Sequence, residues 1–270
     1  QHLGDREIRA VLRRALVERG RRGLDALGEA LRDPATPPQV LRHVPQSIAR
    51  FGSHEAARLL LAHLNDGRLP GIVRFKVLRG LGTLADTALP LDGGVIRTAG
   101  EASLERTRKL LRWQEALERG AHERPERDTS AHWLLLEMLQ DKQRLALQRI
   151  FRMLYLLNPD EDFRRIWQGL QSGYQRVRAS SAELVENLLP HPHAKAILGL
   201  VSAGTPGERL EASGGQPFDG DYAELLAEIQ RDRSDTLRGL AAYHAAELVG
   251  LDAPSAAARR DVASEHLLQR

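Results

Sequence analysis

The chain has 270 residues, 42% of them hydrophobic and 28% charged, which supplies a substantial core and the ordinary charge load of a folded protein rather than a disordered one. Thirty-nine Lys and Arg stand against 36 Asp and Glu, so the formal net charge is only +3 although the isoelectric point is about 9.5. Cysteine is absent, which excludes disulfides, thiolate catalysis and Cys-ligated zinc, and no apolar run approaches the ~18 residues of a membrane span.

The first six residues, Gln1-His2-Leu3-Gly4-Asp5-Arg6, lack the apolar core of a signal peptide, and a chain that starts without Met is expected to be a fragment. Ile8, Val11, Leu12, Ala15 and Leu16 then recur at i, i+3, i+4, i+7 and i+8, one face of an amphipathic helix. A second helix over Gly23–Arg32 stops at the proline-rich Asp33–Pro38, and Leu41-Arg42 opens the next. Ser53 caps a helix over His54–Asn65, and Val73-Arg74 opens another that ends before a break at Asp86–Gly94.

Two longer helices are expected over Val95–Leu117 and Ser130–Leu157. The second is very apolar late on, but Arg144, Arg149 and Arg152 interrupt it, as suits a helix covered on most sides by neighbours rather than by lipid. Phe163, Ile166, Trp167 and Leu170 mark a helix within Asp160–Gln171, and Val177-Arg178 begins its partner. Ser202–Gly220, with Gly204, Gly207, Gly214, Gly215 and Gly220, reads as a flexible loop. Tyr222, Leu225, Leu226 and Ile229 mark a last short helix over Asp221–Arg231, followed by Leu237-Arg238. Almost nothing alternates with period two, so the fold class is all-α.

The segments pair. Four helical hairpins are expected at 22–51, 53–85, 160–189 and 221–249, each with a second helix that opens on an apolar residue followed by arginine; 94–158 forms an enlarged central hairpin, and 202–220 a connecting loop. A lone helix pair cannot bury its apolar face, so such units stack, and the expected architecture is one right-handed α-solenoid over residues 1–270.

The segments GIVRFKVLRGLGTLA (Gly71–Ala85) and YQRVRASSAELVENLL (Tyr174–Leu189) resemble HEAT repeats. That resemblance implies an inter-repeat ladder in which Arg42, Arg74, Arg178 and Arg238 meet a turn aspartate about six positions earlier. Asp232 matches for Arg238, Ser172 stands at the corresponding place before Arg178, and Asp66 and Asp33 lie eight and nine positions before their arginines. The order of the segments over residues 24–190 is similar to the soluble HEAT extension of bacterial major-facilitator proteins related to ATP:ADP antiporters. It implies a cytoplasmic docking or regulatory module, tethered to the inner membrane through an upstream transporter domain, with a protein or the adjoining membrane domain as partner.

Chemistry-bearing motifs are sparse. His54-Glu55 and His122-Glu123 resemble the His-Glu pairs of HEAT-type di-iron hydroxylases, but they occupy non-equivalent positions, and His191-Pro192-His193 has no third ligand in view. No nucleophile elbow or phosphate-cradling glycine loop occurs, so no enzyme activity, metal or cofactor is expected. Arginine far outnumbers lysine, which is confined to Lys76, Lys109, Lys142 and Lys195. A coding bias explains the excess, and phosphate recognition is the rival explanation. If nucleic acid is the partner, Arg13, Arg14, Arg21 and Arg22 on one helix and Arg106, Arg108, Lys109 and Arg112 on another are the residues to hold its backbone. The leading expectation remains a non-enzymatic protein-interaction scaffold.

Overall fold

The computed structural model describes residues 2–86 and 89–252, and the described residues contain helices, turns and no strand. The helices are α1 (Arg9–Glu18), α2 (Arg21–Arg32), α3 (Pro38–Leu41), α4 (Val44–Ala49), α5 (His54–Ala62), α6 (Gly71–Ala85), α7 (Gly93–Glu123), α8 (Ser130–Leu157), α9 (Phe163–Leu170), α10 (Gln175–Leu188), α11 (His191–Val201), α12 (Pro206–Ala212), α13 (Tyr222–Gln230) and α14 (Asp235–Asp252). They gather into two compact units. The first holds the described residues up to Arg106 together with Leu145–Ala194; the second holds Thr107–Arg144 and the described residues from Lys195 onward. The two long helices therefore contribute to both units.

In the first unit α2 packs on α4, α5 on α6, α4 on α6, and α9 on α10. Each buries one stripe. Leu24, Leu27 and Leu31 face inward from α2, Ala56, Ala57 and Leu60 from α5, and Val73, Val77, Leu81 and Leu84 from α6. Phe163, Ile166 and Leu170 are buried along α9, and Ser53 and Asp162 start α5 and α9 by accepting the backbone N–H of Ala56 and Arg165. Helices α9 and α10 cross closely because Gly169 faces Ser181; a Cβ at position 169 would collide with that hydroxyl.

In the second unit Leu110, Trp113 and Leu117 of α7 meet Leu135, Leu136 and Leu139 of α8, and Leu225, Leu226 and Ile229 of α13 with Leu237 and Ala241 of α14 complete the cluster. Trp113 is wholly buried. Gln143 Nε2 donates to Gln114 Oε1 at 2.8 Å inside this hairpin, and Gln114 Nε2 donates in turn to Glu118 Oε1 at 2.8 Å.

Three expectations need correction. Leu41-Arg42 closes a short helix instead of opening a long one: α3 ends at Leu41 and α4 starts at Val44. Pro45 has no N–H to give the Leu41 carbonyl, so the helical ladder breaks there. Helix α7 runs six residues past Leu117, to Glu123. The segment read as a loop at 202–220 contains α12, opened by a capping box between Thr205 and Glu208 and anchored by the buried Leu210 and Ser213. Arg209 is tied down as well, donating to the Leu200 carbonyl through Nη2 at 2.7 Å. Local capping and one buried leucine outweigh the glycine content of that stretch.

Candidate functional site

The turn-facing arginines behave alike where their bonds are resolved. Arg178 Nη1 donates to the Ser172 carbonyl at 2.7 Å, and Arg238 Nη1 donates to the Asp232 carbonyl at 3.0 Å. Both reach six residues back, within their own hairpin, and tie the second helix to the turn before it. Main-chain carbonyls take these bonds, which is why Ser172 serves where an aspartate was expected. Asp232 is buried and its Oδ1 accepts the Ser234 N–H, which shapes the turn; Arg238 also pairs with Asp235. Arg42 is exposed and Arg74 half-buried.

The expected phosphate-binding residues divide by unit. In the second, Arg108 donates to the Ser213 carbonyl through Nη2 at 2.6 Å and Nε at 3.0 Å, which clamps the end of α12. Lys109 Nζ lies 2.9 Å and Arg112 Nη2 3.2 Å from the same Glu228 oxygen, and the Lys109 ammonium sits 4.7 Å from the centre of the Trp113 ring. Burial pushes the Glu228 carboxyl up, but the hydrogen bond and charge of Lys109, with the charge of Arg112, hold it below the usual value. These three cations are engaged in holding the second unit together. Arg106, which falls in the first unit, is half-buried. In the first unit Arg14, Arg21 and Arg22 are exposed, with Arg21 3.9 Å from Asp25, and Arg13 donates from Nε to Ser47 Oγ at 3.0 Å.

Arg13 belongs to a larger group that spacing along the chain does not reveal. Helix α1 brings Arg9 and Arg13, the turn after α3 brings Arg42 and His43, and α6 brings Lys76 and Arg79. Burial lowers the His43 imidazole to about 4, reinforced by the charges of Arg9, Arg42, Lys76 and Arg13. Lys76 is lowered first by burial, then by Arg79, Arg42, Arg13 and Arg9. The charges that act most on each of these groups are all positive. Among the described residues none of Arg9, Arg13, Arg42, Lys76 and Arg79 forms an ion pair with an acid, so the tract carries its charge uncompensated.

Beside this tract α6, α8 and α9 enclose a cleft of about 370 Å³. Arg79, Arg152 and Arg164 line it from the three helices, and Phe151 and Trp167, with ring centres 5.1 Å apart, form an apolar wall. The Arg152 guanidinium lies 4.8 Å from the Phe75 ring centre; burial, then the charges of Arg79 and Arg164, push its pKa down. The two carboxylates at the cleft have other work: Asp86 accepts from the Tyr155 hydroxyl, and Asp162 caps α9. Sequence reading noted Arg152 only as an interruption of an apolar helix; an arginine that recurs in such a stretch was the available signal.

The second unit holds a buried polar network. Tyr222 Oη lies 2.8 Å from His244 Nε2 and 3.3 Å from His132 Nδ1, while His244 Nδ1 lies 3.0 Å from Thr129 Oγ1. The single hydroxyl proton goes to one imidazole, and the other imidazole donates its N–H to the same oxygen. Burial lowers His244 to about 4 and raises the Tyr222 phenol, and it lowers His132 too. The Arg127 guanidinium stacks 4.2 Å from the Tyr222 ring centre and donates to the Gly120 carbonyl at 3.0 Å. No group of three or more His, Asp or Glu side chains among the described residues is arranged to hold a metal ion.

Comparison with protein-family models, with curated proteins and with solved structures finds no match to this chain.

Proposed function

We propose that the chain is a non-enzymatic interaction scaffold, a right-handed solenoid of HEAT-like hairpins, which docks an acidic partner along the first unit. The uncompensated tract of Arg9, Arg13, Arg42, Lys76 and Arg79 carries this reading. Cations held near one another raise the free energy of the free surface, and an arriving run of negative charge lowers it. A row of exposed and half-buried charges suits a polymer that tracks along successive hairpins. On its resemblance to transporter extensions, the scaffold would be a cytoplasmic docking module of a transporter-like protein; among the described residues no helix is long and apolar enough to cross a membrane.

A second reading puts a nucleic-acid backbone in the partner's place. It is favoured by the predominance of arginine in the tract, because the guanidinium fork matches phosphate oxygens in pairs. Fluorescence anisotropy with a labelled Glu-rich peptide and with labelled duplex DNA, each titrated at increasing salt, separates the two. The scaffold reading expects tight peptide binding that Arg13→Glu with Lys76→Glu removes. A preference for DNA, with log affinity falling linearly in log salt, selects the second. Absence of binding to both at low salt overturns both.

A further inference from the structure

The cleft of the first unit is built for a smaller ligand than the tract beside it. We propose that it binds a nucleoside monophosphate, its phosphate held by Arg79, Arg152 and Arg164 and its base laid against Trp167. The inference does not rest on the docking reading.

Three guanidinium groups from three helices converge on one cavity, and none of them forms an ion pair with an acid among the described residues. Arg152 Nε is buried without a hydrogen-bond partner, so part of its donor capacity is unused in the free protein. Three forks offer more donors than one carboxylate can accept, whereas the three terminal oxygens of a phosphomonoester match them. Inorganic phosphate alone would leave most of the cavity empty. Its volume, about 370 Å³, lies at the small end of pockets that take organic ligands. The remaining walls describe the rest of the ligand. Trp167 is half-buried and tilted 38° to Phe151, which makes an apolar surface suited to a planar ring. Gln148 adds a side-chain amide, which suits the hydroxyls and ring groups of a nucleoside.

The test uses the full chain carrying Trp133→Phe, which removes the exposed indole and leaves Trp113, buried in the second unit, as a constant background. Titration with nucleoside monophosphates, read by Trp167 fluorescence and by calorimetry, should give saturable quenching with affinity at least about tenfold above that of inorganic phosphate. Arg164→Ala, at an exposed position, should weaken nucleotide and phosphate alike by about tenfold or more. Trp167→Leu should erase the preference for nucleotide while phosphate binding persists. Arg152→Lys keeps the charge but not the fork and should also weaken binding. Arg13→Glu, in the docking tract, should leave nucleotide affinity unchanged, so failure of the docking reading and failure of this one are told apart. No binding at millimolar nucleotide, equal affinity for phosphate and nucleotide, or indifference to Arg164→Ala overturns the proposal.

Discussion

In the second unit Lys109 and Arg112 close on Glu228, and Arg108 closes on the Ser213 carbonyl; in the first unit Arg79, Arg152 and Arg164 open onto a cleft whose carboxylates are already engaged. The same residue types thus serve cohesion in one unit and are held in reserve in the other. A basic cluster in sequence says nothing about which case applies, because the deciding feature is whether an acid or a carbonyl from a distant segment arrives to satisfy it. Arg106–Arg112 is the denser cluster in the sequence, yet the sparse set from α1, α6, α8 and α9 faces the open cleft and tract.

This contrast can be broken most severely in the second unit. Tyr222→Ala removes a ring stacked on Arg127 and a hydroxyl shared by two buried imidazoles, and should cost about 3 kcal/mol or more in urea unfolding followed by circular dichroism. Tyr222→Phe keeps the ring and should cost about 1–3 kcal/mol, since an imidazole loses its partner in a buried site. A stability unchanged from the parent in both variants would show the network to be incidental.

The first unit should respond in the opposite way. Arg79→Ala with Arg152→Ala should leave stability within about 1 kcal/mol of the parent, because relief of like-charge repulsion offsets the lost contact with Phe75. The same pair should abolish nucleotide binding. A loss of stability as large as that of Tyr222→Ala would make these arginines structural and dissolve the comparison.

Acid acts on both units through depressed imidazoles. His43 and His244 titrate at about 4 in the folded chain against 6.5 in the unfolded one. Above pH 6.5 both are neutral in either state. As pH falls from 6.5 to about 4 the unfolded chain takes up protons that the folded chain refuses, so stability declines through that window and levels below it. His43→Ala should flatten part of the slope of the urea midpoint against pH. Conversely, an anion docked beside His43 favours its protonated form and raises its pKa above the free folded value, so affinity for an acidic partner should rise as pH falls toward about 4, and His43→Ala should remove that part of the rise.

The smallest effect concerns the surface pair of the second unit: Lys109→Ala should cost only about 0–1 kcal/mol, since Arg112 still neutralises Glu228 and the pair is partly exposed. It should not alter nucleotide or peptide binding in the first unit.

The all-helical class was legible in the order of residues. Period-3.6 stripes such as Phe163–Leu170 and Tyr222–Ile229 identify their helices because each must bury one face, and that requirement is written locally in the order of residues. The pairing of α5 with α6, α9 with α10 and α13 with α14 followed from short connections between such stripes. The break at Pro45 and the capped helix α12 were local signals too, but weaker than the composition around them, and reading by composition passed over both. What lay beyond the sequence was the gathering of the basic side chains around the cleft and the tract. Arg79, Arg152 and Arg164 come from three separate helices, and whether a guanidinium ends beside a carboxylate, a carbonyl or an open cleft depends on how those helices pack. Helical periodicity determines which residues a segment buries; only tertiary packing decides which charges are left without an opposite, because that is a property of neighbours far apart along the chain.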